Sequence, residues 1–259
     1  MVDLDEPAAL RLSAVQRAWL REIGIDKNLL GRFDAPGADT VAAVPERVAI
    51  DQPVGTKALL RAASPVSDSL PHDLESLRSL VAICEACPLY AGRSRTVFGS
   101  GATESLQWMI IGEAPGDSDD RAGLPFQGAA GTLLHAMLAA VGVRADSSVF
   151  FTNLVKCRPL GNRPPGPAEI AACLPYLRRQ IALLNPRRIL TLGRLAAQTL
   201  LNDDSDFEQL RGCVHELLSE SGAKIPLVAT YHPAYLLSRP QYKAGAWSDL
   251  ILAYTALCD

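Results

Sequence analysis

The chain has 259 residues, 48% hydrophobic and 20% charged, so it can build a sizeable core and is not globally disordered. Its formal net charge of −3 excludes a bulk polycation that coats nucleic acid, although local basic patches stay compatible with it. It contains no apolar run of about 18 residues, and its acidic start lacks a signal-peptide pattern. We therefore expect a cytoplasmic protein without membrane contact and, by default, a monomer.

Residues 1–75 are predicted to form an N-terminal extension, partly disordered, before a domain over residues 76–259. The extension carries eight basic and twelve acidic side chains, whereas the rest of the chain is nearly neutral. Residues 13–23 have helical spacing of apolar side chains, and the Pro-rich sequence after them is typical of an extended linker. The short helix either docks on its own domain, which we favour, or binds a protein partner.

Strand-like and helix-like patterns alternate from about residue 73 onward. Four apolar runs have the length of strands: residues 107–111, 148–155, 188–192 and 225–231. Helical patterns occupy residues 73–83, 131–141, 167–184, 195–201 and 247–257. This alternation predicts an α/β fold with a mostly parallel, four-stranded sheet and helices on both of its faces.

Polar sequence rich in Gly and Pro follows three of the predicted strands, at residues 112–131, 152–159 and 230–240. Ligands bind beyond the carboxyl ends of the strands in such sheets, so these stretches predict one pocket. The first stretch is not a phosphate loop, because no Lys-Ser or Lys-Thr pair follows its glycines and its acids would repel phosphate. A flat, uncharged, hydrogen-bonding ligand fits better.

Three side chains at the strand ends are candidates for binding such a ligand. Phe126 can stack on a flat ring, Asn153 can read an amide edge, and His232 can donate to an oxygen that gains negative charge. Each also has a structural interpretation. Phe126 can be plain core, Asn153 can cap a turn, and His232 can be a structural histidine.

Four of the six cysteines have the spacing of a metal site: Cys84, Cys87, Cys157 and Cys173. Four thiolates suit either zinc or an iron–sulfur cluster, and the spacing does not separate the two. Cys213 and Cys258 have no near partner and are expected to be ordinary buried thiols.

Eight basic residues and one acid lie between residues 156 and 194. A solvated helix face is the usual explanation for such a run. Lys156, Arg158 and Arg163 lie instead in the loop beside the predicted pocket and the cysteines. We expect a local cationic surface there that can hold a phosphate backbone.

Together these motifs resemble the family-4 uracil-DNA glycosylases, the iron–sulfur branch of that superfamily. The resemblance covers residues 79–257 and depends on four motifs: CEACPL at 84–89, GEAPG with PFQGAAG within 112–131, TNLVKCRP with NRPP within 152–165, and YHPAYLL at 231–237. It implies a three-layer αβα sandwich with a central four-stranded parallel sheet. It also implies that Cys84, Cys87, Cys157 and Cys173 hold a structural [4Fe–4S] cluster.

The activity that the resemblance implies is hydrolysis of the N-glycosidic bond of deoxyuridine in DNA, which initiates base excision repair. The residues implied to bind uracil are Gly112, Glu113, Ala114, Asp119, Phe126, Asn153 and His232. Phe126 stacks on the base, Asn153 reads its Watson–Crick edge, and His232 faces O2. Asp119 stands where the family usually has a Glu that excludes thymine. Ala114 stands where the best-known branch has a water-handling Asp, so Glu113 is the candidate substitute.

The base must leave the stack before its bond can break. The resemblance implies that residues 234–240 wedge into the minor groove, with Leu236 or Leu237 filling the vacated space. Arg158, Arg163 and Arg239 are the expected DNA contacts, although Arg239 is displaced by one position from the usual LLR-x-P pattern. The loop PLGNRPP at 159–165 lacks a His, which argues against covalent trapping of DNA.

Two other functions stay open. The chain can be a module that binds damaged or abasic DNA with little catalysis, since Asp119 and Arg239 depart from the family pattern. It can also be a structural zinc protein with an unrelated role. An enzyme releases the base, whereas a binding module retains DNA without release. A bound zinc ion in place of an iron–sulfur cluster would indicate the second alternative.

Overall fold

The computed structural model describes residues 70–256. The predicted helix at 13–23, the linker after it and Cys258 lie outside the described residues. The described part begins in the core, because Leu70 is buried against the helix that follows it. No helix within residues 70–256 has both the length and the apolar character needed to cross a membrane.

The sheet contains the four predicted strands in parallel arrangement. They are β2 (Trp108–Gly112), β3 (Val149–Asn153), β4 (Arg188–Leu192) and β6 (Lys224–Thr230). Three residues at the start of β4 and β6 are not fully buried: Arg188, Lys224 and Pro226. All other residues of these strands are buried on both faces, as helical layers on either side require. The predicted α/β class is therefore confirmed.

The predicted number of four strands is wrong, because two antiparallel edge strands complete a six-stranded sheet. They are β1 (Ser100–Gly101), which pairs with β3, and β5 (Val214–Leu218), which pairs with β6. The order across the sheet is β1–β3–β2–β4–β6–β5. β1 is too short to leave a pattern in the sequence. β5 is half-exposed, so it lacks the continuous apolar run that marks the buried strands.

The described helices, in chain order, are α1 (Leu74–Ala82), α2 (Asp117–Ala122), α3 (Ala129–Ala140), α4 (Ala145–Ser148), α5 (Pro167–Leu184), α6 (Arg194–Leu201), α7 (Phe207–Leu210), α8 (Pro233–Ser238) and α9 (Lys243–Thr255). Short 3-10 segments lie at Pro88–Gly92, Leu160–Asn162 and Pro240–Tyr242. The five predicted helices within residues 73–257 are present, and α9 begins four residues earlier than expected. The short α2, α4, α7 and α8 lack the length for a visible apolar period.

Cys213 is exposed, so the prediction of a buried thiol at this position is wrong. It lies in the turn between α7 and β5, where its Sγ atom lies 3.8 and 3.7 Å from the carbonyl oxygens of Gln209 and Leu210. Its Sγ atom lies 3.3 Å from Nε2 of His215, and the same ring nitrogen lies 2.8 Å from the carbonyl oxygen of Leu210.

A buried ion pair fixes the segment before β5 to α9. Asp249 is 1% exposed, and its Oδ2 accepts hydrogen bonds from Nε of Arg211 at 3.0 Å and from Nη2 at 2.9 Å. Removing one partner of such a pair leaves the other charge buried without compensation. Asp249→Ala is expected to lower the free energy of unfolding by about 3–5 kcal/mol, measured by urea-induced unfolding.

The matched control is Glu216→Ala, which removes the partner of Lys224 from a pair whose side chains are about two-thirds exposed. Exposed pairs contribute little, so its stability should stay close to that of the parent. Equal losses in the two variants would contradict the structural role given to Asp249.

Candidate active site

The ends of three parallel strands meet at one edge of the sheet. Gly112 and Asn153, the last residues of β2 and β3, lie directly opposite each other. An open cavity of about 450 Å³ lies beyond them. The predicted site residues on its wall are Glu113, Ala114, Asp119, Phe126, Arg163 and His232. The structure thus brings together residues from three distant stretches of the chain.

The side chain of Asn153 is buried without a partner. It is 1% exposed, and neither its amide nitrogen nor its amide oxygen has a hydrogen-bond partner in the described part of the chain. Burying an amide without hydrogen bonds is costly, and native structures rarely tolerate it without a reason. The interpretation of Asn153 as a simple turn cap therefore does not hold. The amide lies behind the cavity wall, and its donor and acceptor are not used within the described part of the chain.

Gly112 leaves the space in which Asn153 and Phe126 approach each other. A Cβ atom added at Gly112 would lie 2.4 Å from Oδ1 of Asn153 and 3.0 Å from Cζ of Phe126. Only a glycine keeps this part of the site open. The Phe126 ring and the buried Asn153 amide therefore border one small space beside Gly112, which we call the Asn153 corner.

Phe126 has a left-handed backbone conformation with a φ of 58°, which is uncommon for a bulky residue. Its ring packs edge-on against Phe151, with 5.8 Å between the ring centroids. A Cβ atom added at Gly131 would lie 1.7 Å from the carbonyl oxygen of Phe126, so glycine is required there as well. The surroundings thus hold the loop of Phe126 in one strained conformation.

Asp119 closes this loop with both of its carboxylate oxygens. Oδ1 accepts from the backbone N–H of Gln127 at 2.7 Å, and Oδ2 accepts from that of Gly116 at 3.1 Å. The neighbouring Asp120, which the sequence did not single out, accepts from the N–H groups of Ser94 and Arg95. Asp119 therefore organises the backbone beside the cavity, and Asp120 fixes the segment at Ser94 and Arg95.

Glu113 follows β2 in the chain, and its carboxylate contacts the backbone at the start of helix α6. Its Oε1 accepts from the backbone N–H of Leu195 at 3.2 Å. A Cβ atom added at Gly193, whose φ is 94°, would lie 2.6 Å from the same oxygen. Burial raises the pKa of Glu113, and the Leu195 amide and the charge of Arg194 oppose this shift. The role of Gly193 could not be predicted from the sequence, because it depends on the contact with Glu113 across the sheet edge.

His232 caps the start of α8 and keeps one ring nitrogen available. Its Nδ1 accepts from the backbone N–H of Ala234 at 3.2 Å. In the neutral ring the proton therefore resides on Nε2, which can donate to a ligand. Desolvation lowers the pKa of His232 to about 4, although the charge of Asp119 opposes this shift. Its ring centroid lies 6.4 Å from that of Phe126.

Helix α8 distinguishes the two leucines that the sequence left open. Leu236 is fully buried, at 0% exposed, whereas Leu237 is 47% exposed. Of the two, only Leu237 is accessible to a partner. Arg239, just beyond the helix, is exposed and lies over the ring of Tyr235, 4.6 Å from its centroid.

The expected cationic surface is smaller than predicted. Lys156 is buried, at 1% exposed, so the expectation that it contributes to a surface patch is wrong. Arg158 donates to Asp117 at 2.7 Å, and Arg163 donates to both carboxylate oxygens of Glu169 at 2.6 and 2.9 Å. Both arginines are thus already paired within the protein.

The ammonium of Lys156 lies beneath the site. Its Nζ donates to Oγ1 of Thr152, to the carbonyl oxygen of Asn153 at 2.9 Å, and to Oε1 of Gln180 at 2.6 Å. Burial lowers the pKa of Lys156 to about 7, and the charge of Cys173 opposes this shift. The sequence offered no signal that this lysine is internal.

The four predicted metal ligands, Cys84, Cys87, Cys157 and Cys173, line one small cavity. Lys156, Arg93 and Tyr176 line the same cavity. Arg93 Nη1 donates to Sγ of Cys157 at 3.2 Å, and the hydroxyl of Tyr176 donates to Sγ of Cys84 at 3.4 Å. Within residues 70–256, no three Cys, His, Asp or Glu side chains are spaced to hold a single metal ion.

Comparisons with known proteins agree with this architecture. Residues 98–251 match the family model described as the Uracil DNA glycosylase superfamily. The chain is 42% identical over 192 residues to a type-4 uracil-DNA glycosylase of Pyrobaculum aerophilum, covering 70% of this chain and 93% of that protein. Proteins of the same name from Archaeoglobus fulgidus (40% identical; 68% and 90% covered) and Thermotoga maritima (38%; 63% and 83%) also match.

The fold and the site thus define a uracil-DNA glycosylase superfamily member. More narrowly, the chain belongs to the type-4 uracil-DNA glycosylases. This membership confirms the resemblance inferred from the four sequence motifs.

The His232 ring is expected to stay neutral down to about pH 5, because its pKa is lowered from 6.5 to about 4. The folded chain binds this proton less readily than the unfolded chain, so stability is lost as the pH falls from 6.5 towards 4. Histidine NMR titration of the full chain measures the midpoint directly. His232→Gln identifies the signal by removing it, and a midpoint near 6.5 in the parent would contradict the buried environment.

Proposed function

We propose that this chain hydrolyses the N-glycosidic bond of deoxyuridine in DNA and releases uracil. The observation that carries the proposal is the buried, unpartnered amide of Asn153 beside the ring of Phe126. Its donor and acceptor match the adjacent carbonyl and N–H of the Watson–Crick edge of uracil. The Asn153 oxygen accepts from N3–H of uracil, and its amide nitrogen donates to O4.

The base reaches this corner only after it leaves the stack, because the glycosidic bond is inaccessible inside a duplex. Phe126 then stacks on the face of the flipped base. The hydrogen bonds of Asp119 fix the loop that carries Phe126, so the ring is in position before the base arrives. Exclusion of thymine by Asp119 stays a prediction.

Bond cleavage moves the electron pair of the C1′–N1 bond onto uracil, which leaves as an anion, while the sugar becomes an oxocarbenium-like cation. His232 is suited to donate its Nε2–H to O2 of uracil as negative charge develops there. Because the ring is neutral, it stabilises the anion by a hydrogen bond and keeps its proton. Water then adds to C1′ and releases a proton to solvent.

Glu113 is our candidate for orienting this water. It is a carboxylate on the cavity wall. The neighbouring Ala114 has no polar side chain that could bind water. The N–H of Leu195 holds one of its oxygens, which restricts the direction of the carboxylate. Its negative charge would also stabilise the sugar cation.

We also propose that Cys84, Cys87, Cys157 and Cys173 hold a [4Fe–4S] cluster. Four thiols line one cavity, and the resemblance to the type-4 uracil-DNA glycosylases favours an iron–sulfur cluster over zinc as the group they bind. Arg93 and Tyr176 donate to two of the sulfurs, as groups that stabilise thiolates do. When bound, the cluster would supply a rigid link between the loop after α1, the loop after β3 and helix α5.

The macromolecular partner in this proposal is uracil-containing DNA. A cytoplasmic location, a monomeric state and a protein partner for residues 1–75 stay predictions.

Asn153→Ala and His232→Ala are each expected to slow uracil release about 100- to 1,000-fold, the usual effect of removing a donor from a developing anion. DNA binding should change little, because both side chains are assigned to the flipped base and not to the DNA backbone. Single-turnover release from a labelled oligonucleotide and a DNA-binding assay measure the two effects. Parent rates in both variants would refute the pocket assignment, and DNA retention without release by the parent would favour a binding module.

Leu237→Ala is expected to slow uracil release from double-stranded DNA and to leave release from single strands nearly unchanged. A side chain that fills the vacated space is needed only where a duplex must be held open. The ratio of the two rates is the measurement. Leu236→Ala is the contrasting variant, because removing this buried side chain should destabilise the fold by about 2–5 kcal/mol. Equal slowing on both substrates by Leu237→Ala would contradict the wedge.

A further inference from the structure

Within residues 70–256, no carboxylate is among the hydrogen-bond partners of the buried Lys156 ammonium. All three of its hydrogen-bond acceptors are neutral: a hydroxyl, a backbone carbonyl and a side-chain amide. Three acceptors around one nitrogen match the three N–H groups of an ammonium, and the cavity lined by the four cysteines lies beside this residue. Buried charges are normally paired, so an anion in the cysteine cavity would stabilise this ammonium.

Lys156 borders that cavity together with all four cysteines. A cluster bound by four thiolates is an anion, because the thiolate charges outweigh the positive charge of the iron–sulfide core. Such a cluster would supply the missing counter-charge. The same lysine reaches the other way, to the carbonyl oxygen of Asn153 at the end of β3.

The acceptors of Lys156 connect the two sites through the core. Gln180 lies on α5, two turns beyond Cys173, and its Nε2 also donates to the carbonyl oxygen of Phe98. Thr152 directly precedes Asn153 and donates to the same Phe98 carbonyl. The ammonium therefore holds the backbone on which the uracil-reading amide depends.

We propose that Lys156 is a positioning residue that couples the cluster to Asn153: the anionic cluster retains the buried ammonium, and the ammonium fixes the end of β3 that presents the Asn153 amide. This inference rests on the proposed function and cofactor. It assigns the cluster a direct electrostatic influence on the uracil pocket, in addition to linking loops.

Lys156→Met in the full-length, anaerobically purified holoprotein tests the coupling. The variant keeps the length and apolar stem of the side chain and removes the charge. The reduction potential of the cluster should become more negative, because a nearby cation stabilises the added electron. Uracil release from single-stranded DNA should slow about 10- to 100-fold, the range observed when a group that orients a metal ligand or reactive group is removed. The fall should lie in kcat, with KM for DNA unchanged.

Two control variants separate charge from structure. Gln180→Met removes a buried hydrogen bond of the same network without changing charge, so the potential should stay near the parent value. Tyr176→Phe removes the donor to Cys84 and leaves the three hydrogen bonds of Lys156 in place, so it should shift the potential through the sulfur alone. Iron content per chain is measured for every variant.

If Lys156→Met fails to retain iron, the retention of iron by Gln180→Met decides the result. If Gln180→Met retains iron while Lys156→Met does not, the charge of Lys156 is required for cluster binding. Loss of iron in both variants would overturn the proposal. A folded, fully iron-loaded Lys156→Met with the parent potential and parent kcat would also overturn it. A parent protein that holds iron but releases no uracil would refute the proposed function, while the potentials would still test the electrostatic coupling.

Discussion

The whole site depends on the parallel pairing of β2 with β3. Because parallel strands end at the same edge, the register that sets Gly112 opposite Asn153 brings a backbone without a side chain next to a buried amide. The strained backbone of Phe126 then completes the corner, held by the carboxylate of Asp119. A shift of this register would separate all of these groups at once.

The sequence was informative wherever burial is continuous or a motif is local. The four central strands are buried over nearly their whole length, so their apolar runs predicted them with little error. The motifs at the strand ends predicted where the cavity lies, since the carboxyl ends of parallel strands meet at the same edge of the sheet. The C-x2-C pair and the two later cysteines likewise predicted four thiols that share one cavity, as the structure has them.

The sequence was least informative about charge. Lys156, Arg158 and Arg163 look alike in the chain, yet one is sealed beneath the site and two are paired with acids. Which partner a cation meets depends on contacts between distant segments, such as Arg158 with Asp117. The same limit applied to Leu236 and Leu237, because adjacent residues on a helix separate into buried and exposed only when the helix is docked.

The most direct test of this account is base release by the anaerobically purified full chain from two labelled oligonucleotides that differ at one base. One carries a single uracil and the other carries thymine at the same position. We predict release from the uracil strand alone, since we propose that Asn153 binds the uracil edge and expect Asp119 to exclude the extra methyl group. A brown, folded protein that releases neither base would contradict the claim that the unpartnered amide reads uracil for cleavage.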